Sequence, residues 1–451
     1  MLLGTADEVL AKPKEEVKFM EDMAPEGMAA LMAAGLPFGF GNLGNTCYMN
    51  STLHVLKTAQ EFSETVKSAA SVSDPLVRET QNVFKKMESA TDVIEPHAFW
   101  ERLKQRKPEF GQMSQQGGFM QQDAEECLTE LLNCVNSAVK TPDGKGLADE
   151  TFGIEMQTET KLAAEEGGSE EPVVRTEKFL KLACHIQGNK MQEDGTLKGA
   201  TDMLPQGIMH GLEGSLEKTS PSLGRSALYT TKSRISRLPK YVTTQLVRFY
   251  YKTDTQKKAK ILRPVKFPFM LDMNDFCVPE LQAKIKGYRE KKLEAQRADE
   301  AEAKKAKLSH NETSEAGDSA AAAAGGDDGA GAKMEVEGGA SAPTEAMAVE
   351  EDETCHATYQ LVGVLSHKGN SADGGHYVAW VRKDDGKWFL FDDHHVTEVT
   401  AEKVKNNYGT SAMDHMAYML LYKRTPEVFG SDNTRYEEAK PKDEKKKGQW
   451  K

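Results

Sequence analysis

The chain has 451 residues, 70 Asp and Glu against 58 Lys and Arg, and a formal net charge of −12. That balance suits basic partners and argues against duplex nucleic acid, which needs a basic face to neutralise its phosphates. Six scattered cysteines without a CxxC pair argue against both a zinc ribbon and a disulfide framework, and they fit a reducing compartment, the cytoplasm or nucleus.

The start, "MLLGTADEVL", meets Asp7 and Glu8 at once and is no secretory signal. No run of about 18 apolar residues occurs, so no membrane span is expected. Residues 1–35 read as an acidic, Met/Ala-rich linker. Pro37 and Gly39 mark the entry into ordered structure, and residues 36–150 read as mostly helical. The stretch "GNLGNTCYMNSTLHVL" (41–56) predicts a helix beginning at Cys47, capped by Asn45 or Thr46, with Met49, Leu53 and Leu56 on one face. "MQQDAEECLTELLNCV" (120–135) predicts a second helix, with Ala124, Cys127, Leu128, Leu131 and Val135 facing the core. Asp123 caps it, and Glu126 is the expected capping-box partner.

Residues 151–280 read as strand-rich, with "YVTTQLVRFYY" (241–251) as the clearest strand. A charged, solvated helix follows over 281–301. The Ala/Gly/acidic tract 302–352 buries too little apolar surface to offset its ordering entropy and reads as a disordered insertion. Strand signals resume at Tyr359, within a last ordered stretch of 353–425, and 426–451 is a polar tail.

Chemistry concentrates at two places. Cys47 in the first turn of a helix lies by unpaired N–H groups and the positive end of the helix dipole, a setting that favours a thiolate. The loop before it offers backbone donors and the amide of Asn42 for an oxyanion. A thiol nucleophile needs a base, and "GGHYVAWVRKDDGKWFLFDDHHVTEV" (374–399) supplies one. His376 opens a strand, "KDDG" reads as a turn, and "KWFLFDD" returns, which brings His376 beside Asp392 and Asp393. If Arg382 pairs with Lys387, Asp393 faces His376; a loop one residue shorter selects Asp392. Gly374 and Gly375 remove side chains where a substrate backbone could approach.

"GNLGNTCYMNS", "QQDAEE" and "GGHYVAW…WFLFDD", in that order, resemble the three boxes of ubiquitin-specific proteases. The resemblance covers residues 36–425. It implies an α+β, papain-like cysteine hydrolase with a helical thumb (36–150) and antiparallel palm and fingers (151–280 and 353–425). The implied reaction is cleavage after the C-terminal glycine of ubiquitin. Carried over by position, Cys47 is the nucleophile, His376 the general base, Asp392 the third member and Asn42 the oxyanion donor. Asp123, Gln122, Gly375 and Tyr377 are the implied substrate-binding residues. No metal and no cofactor are implied, and the fingers lack the paired CxxC motifs that often bind zinc in this family.

"SALYTTKSRISRLPKYVTTQLVRFYYK" and "KFPFMLDM" resemble the proteasome-associated branch, which adds the 26S proteasome to ubiquitin and ubiquitinated proteins as an expected partner. The first residues resemble the linker that follows the ubiquitin-like domain of that branch; the domain itself is expected to be missing. Two loops, 252–260 and 368–375, read as lids that hold basal activity low until a partner moves them. The rival expectation is a catalytically silent ubiquitin-binding regulator of the proteasome.

Overall fold

The structure, a computed structural model, describes residues 37–427 apart from 116, 188–189, 192–196, 199–200, 253–256, 316–352, 372–373 and 410–413. The expected linker 1–35 and the tail beyond 427 lie outside the described residues.

The first third is helical: α1 (Cys47–Lys57), α2 (Gln60–Ser68), α3 (Pro75–Ser89), α4 (His97–Arg106), α5 (Ala124–Ala138) and α6 (Leu147–Phe152). Local chemistry sets the starts. Asp74 accepts from Leu76 N–H at 2.9 Å and Val77 N–H at 3.1 Å ahead of Pro75. Asp123 accepts from Glu125 N–H at 2.8 Å to begin α5. The expected capping box does not close, because Glu126 is drawn outward to Lys107 at 3.0 Å. Helix α1 begins at Cys47, but its apolar face is not a stripe: every residue from Cys47 to Leu56 is buried. Ser51 and Thr52 tolerate this because their hydroxyls donate to the carbonyls of Cys47 and Tyr48, both at 2.7 Å.

The strands follow as β1 (Ile154–Leu162), β2 (Val173–Phe179), β3 (Leu182–His185), β4 (Lys190–Met191) and β5 (Leu197–Lys198). After α7 (Leu204–Leu212) come β6 (Glu213–Thr219), β7 (Ser226–Arg237), β8 (Tyr241–Val247), β9 (Phe249–Lys252), β10 (Lys257–Lys260) and β11 (Met270–Asp272). Helix α8 (Pro279–Glu315) leads to β12 (Thr358–Ser371), β13 (Gly374–Arg382), β14 (Trp388–Asp392), β15 (His395–Val399), α9 (Ala401–Lys405) and β16 (Met416–Thr425). The central sheet has the order β15-β14-β13-β12-β16-β8-β3, with β11 also paired to β12. A separate four-stranded sheet, β2-β1-β7-β6, has outer strands exposed along their whole length, as fingers would be.

The central sheet is buried on both faces, and strand alternation decides which core each residue joins. Tyr377, Ala379 and Val381 of β13 pack toward α1 and the helical layer, whereas Val378 and Trp380 pack on the other side with α7 and the start of α8. That is why β13 reads as a continuous apolar run.

Two expectations need correction. The strand predicted over 241–251 breaks at Arg248. Its guanidinium is fully buried and donates to the carbonyls of Ala417 (2.7 Å), Ile261 (3.0 Å) and Arg263 (2.9 Å). The chain kinks there, and β9 pairs with β10 instead of continuing β8. The charged helix also does not stop at 301: α8 continues to Glu315, into the tract expected to be disordered from 302. Ala, Lys and Glu, all strong helix formers, sustain helix over 302–315. Residues 316–352 lie outside the described residues.

Candidate active site

Helix α1 points its N-terminus at the start of β13. Thr46 is its N-cap, and Leu43 N–H donates to Thr46 Oγ1 at 2.9 Å, which folds the preceding loop against the helix. Cys47, 2 % exposed, thus lies at the sheet. Tyr377 N–H reaches its sulfur at 3.5 Å. His376 faces both Asp392 and Cys47, the latter close enough for its sulfur to act on the imidazole. Its Nε2 meets Asp392 Oδ1 at 2.6 Å, which leaves Nδ1 as the ring nitrogen for the sulfur. Asp392 first and Cys47 second push the His376 pKa up to about 10, against a smaller downward effect of burial, and the imidazolium in turn lowers that of Asp392. Sulfur, imidazole and carboxylate therefore stand in series.

The hairpin register differs from both expected alternatives. Arg382 pairs with Trp388 and Ala379 with Phe391, so the loop is 383–387. Continued to the end, this register would set His394 opposite His376. Asp392 is the diagonal neighbour two residues back on the same face, which lies within side-chain reach. Asp393 has the opposite parity and points to the other side.

There Asp393 performs a task the sequence reading missed. It sits at φ 51°, a left-handed conformation, and is 8 % exposed. Its carboxylate accepts from Asn42 Nδ2 and from Asn50 Nδ2, each at 2.8 Å, while its backbone carbonyl accepts from Phe40 N–H at 3.0 Å. Gly39 permits that approach, since a Cβ on it would stand 2.1 Å from the Asp393 carbonyl oxygen. Asn42 Oδ1 accepts from the backbone N–H of Gly44 (3.0 Å) and Thr46 (3.2 Å). The amide is thereby held at both ends, and one Nδ2 proton remains beyond the bond to Asp393. The doubled aspartate was the signal; only its role as an alternative partner for His376 had been considered.

On the far side of the sulfur, Asp123 accepts the Tyr418 hydroxyl at 2.8 and 2.9 Å, and burial raises its pKa. Gln122 Nε2 donates to Met120 O at 3.4 Å. The Tyr377 ring is buried, and Gly375 adopts φ 138° beside it; a Cβ there would stand 2.2 Å from Lys368 O. The structure thus brings together Cys47, His376, Asp392, Asn42, Gly375 and Tyr377, with Asp123 and Gln122 at the start of α5.

A buried helix-start thiol that meets an imidazole and carboxylate from an antiparallel sheet defines a papain-like thiol hydrolase. The sequence matches the family described as ubiquitin carboxyl-terminal hydrolase across residues 38–422. Ubiquitin carboxyl-terminal hydrolase 6 of Arabidopsis thaliana is 37% identical over 435 residues, 94% of this chain and 85% of that protein. The hydrolase of the same name from Schizosaccharomyces pombe is 37% identical over 428 residues, 94% and 84% of the two chains. Ubiquitin carboxyl-terminal hydrolase 14 of Caenorhabditis elegans is 32% identical over 440 residues, 94% and 80%. The chain belongs to this family and is a cysteine-type deubiquitinase.

Proposed function

We propose that Cys47 attacks the carbonyl carbon of the C-terminal glycine of ubiquitin, in an amide or isopeptide bond. Its proton passes to His376, whose charge Asp392 balances. The free Nδ2 proton of Asn42 meets the oxyanion. Collapse of the tetrahedral intermediate breaks the C–N bond as His376 gives its proton to the leaving amine. Water then cleaves the thioester, losing a proton to His376 as Cys47 leaves. Asp123 and Gln122 receive the ubiquitin tail, and Gly375 with Tyr377 lines the passage for its glycines.

The observation that carries this reading is the 2.6 Å contact of His376 Nε2 with Asp392, on a ring that Cys47 also faces. A ubiquitin bearing a C-terminal electrophile tests it. The wild type is expected to form a covalent adduct; Cys47→Ala is expected to form none while still binding ubiquitin. Labelling that survives Cys47→Ala would reject the assignment.

The likeness of 226–252 and 266–273 to the proteasome-associated branch supports a link to the 26S proteasome and restraint by the two lids. Faster turnover of a ubiquitin–fluorophore conjugate on adding purified proteasome is expected; equal rates would count against both. The six cysteines, all free and buried, support a cytoplasmic or nuclear setting.

A further inference from the structure

Lys260 closes the β9–β10 hairpin and is 8 % exposed. Its ammonium places all three protons on the end of β12: His367 O at 2.8 Å, Gly369 O at 3.0 Å and His367 Nδ1 at 2.9 Å. The charge acting on it most is another buried cation, Arg248. Burying an ammonium here is costly, and a methionine of similar length would pack without that cost.

The strand end it holds lies directly beside the reacting imidazole. Lys368 pairs with His376 and His367 with Tyr377. The His367 ring, fully buried, packs on Tyr377 with centroids 4.5 Å apart. A Cβ on Gly375 would stand 2.6 Å from His367 Nε2, and one on Gly369 would stand 2.9 Å from Gly375 Cα. The sequence Lys260, His367, Gly375, His376 is therefore a chain of direct contacts. An ammonium only donates, so Nδ1 of His367 must accept and its proton must sit on Nε2. A neutral amine could instead accept from Nδ1–H, moving that proton to the other side of the ring.

We propose that Lys260 is a positioning residue for the hydrolysis, its ammonium fixing both the end of β12 that pairs with His376 and the Nε2–H form of His367. The inference rests on His376 being the general base. The charged or titratable groups acting on this cluster are Arg248 at the β8–β9 kink, His367 on β12 with Lys368 and His376 beyond it, His415 ahead of β16, and Asp392, which faces His415. Burial first, then Arg248, lowers the Lys260 pKa to about 7. Burial holds His367 near about 3 and His415 near about 4, while Arg248 and His376 lie at about 10. Between pH 6 and 9 the proton that changes in this cluster belongs to Lys260.

The test measures kcat and KM for a ubiquitin–fluorophore conjugate from pH 6 to 9 in the wild type and Lys260→Met, with the His367 tautomer read by nitrogen NMR. Expected for the wild type is a fall in kcat across this range, with the Nε2–H tautomer at pH 6. Expected for Lys260→Met is a kcat about tenfold lower at pH 6 and flat to pH 9, KM within about twofold, and retained adduct formation with the ubiquitin electrophile. A wild-type kcat in a folded Lys260→Met, a pH step that persists in it, or an Nδ1–H tautomer in the wild type at pH 6 would each overturn the proposal. If the variant does not fold, the wild-type tautomer decides. Failure of the wild type to form the adduct would instead indict the underlying reaction.

Discussion

Replacing Asp393 by asparagine separates the two carboxylates that the hairpin presents. Asparagine tolerates the left-handed backbone at this position, so φ 51° costs little. It has one acceptor oxygen where aspartate offered two, and both partners, Asn42 and Asn50, arrive as N–H donors. One bond survives as a neutral contact; at the other, two amide nitrogens face each other. A hydrogen bond to a charged group contributes about 1.5–3 kcal/mol, and an orphaned buried donor costs about 1–3 kcal/mol. A combined loss of about 2–4 kcal/mol, shared between folding and the reaction, follows. If Asn42 swings away, one oxyanion donor is lost, which lowers kcat by about 10²–10³-fold. His376 and Asp392 lie on the opposite face and are untouched. The assay therefore pairs turnover of a ubiquitin–fluorophore conjugate with alkylation of Cys47 by iodoacetamide. Asp393→Asn is expected to lose about two orders of magnitude in kcat while alkylation stays within about threefold. Equal losses in both readouts, or unchanged turnover, would refute the division of labour between the two aspartates.

Asp392→Asn should show the converse, with slower alkylation at neutral pH together with slower turnover, by about 10–100-fold, because the imidazolium loses its charged partner. The pair's contribution to stability has a defined pH window. The His376 pKa is raised to about 10 and that of Asp392 is lowered, so the contribution is complete from about pH 6.5 down to the ordinary carboxylate range and is lost as pH climbs toward 10; the melting-temperature gap between wild type and Asp392→Asn should narrow over that alkaline interval. Gly375→Ala should fold yet lose adduct formation with the ubiquitin electrophile, since its methyl group would meet Lys368 O and His367 at φ 138°. His54, wedged between Phe40 and Phe391, is held neutral with its pKa near about 3. It therefore favours the folded state above about pH 6.5 and withdraws that support as pH falls toward 3; His54→Phe should flatten the decline in melting temperature over that acid range.

Much of the site was legible because it is built from local signals. The start of α1 at Cys47 followed from the Asn-Thr signal ahead of an apolar pattern, although Thr46 turns its hydroxyl back to Leu43 N–H instead of capping the helix, and His376 with its aspartates followed from alternation on either side of a turn. The register was not legible: loops of three, four or five residues all suit "KDDG", and only packing of Trp380 and Trp388 in one core with Val381 and Phe389 in the other selects the five-residue loop. Parity then separates Asp392 from Asp393, which no composition argument could do. The kink at Arg248 escaped for a similar reason. "YVTTQLVRFYY" has strand propensity throughout, and the break comes from three carbonyls that distant segments bring to one guanidinium. The total burial of α1 escaped too, because Asn50, Ser51, Thr52 and His54 read as a polar face until their partners are in place.

Strand β16 lies in the middle of the central sheet, between β12 and β8, although it is the last strand among the described residues. During synthesis the sheet that presents His376 cannot be completed until residues near 425 have left the ribosome. A nascent or prematurely terminated polypeptide would therefore carry the sulfur without the scaffold that arms it. Competence for hydrolysis therefore waits on the synthesis of β16, some forty residues after His376 itself has emerged.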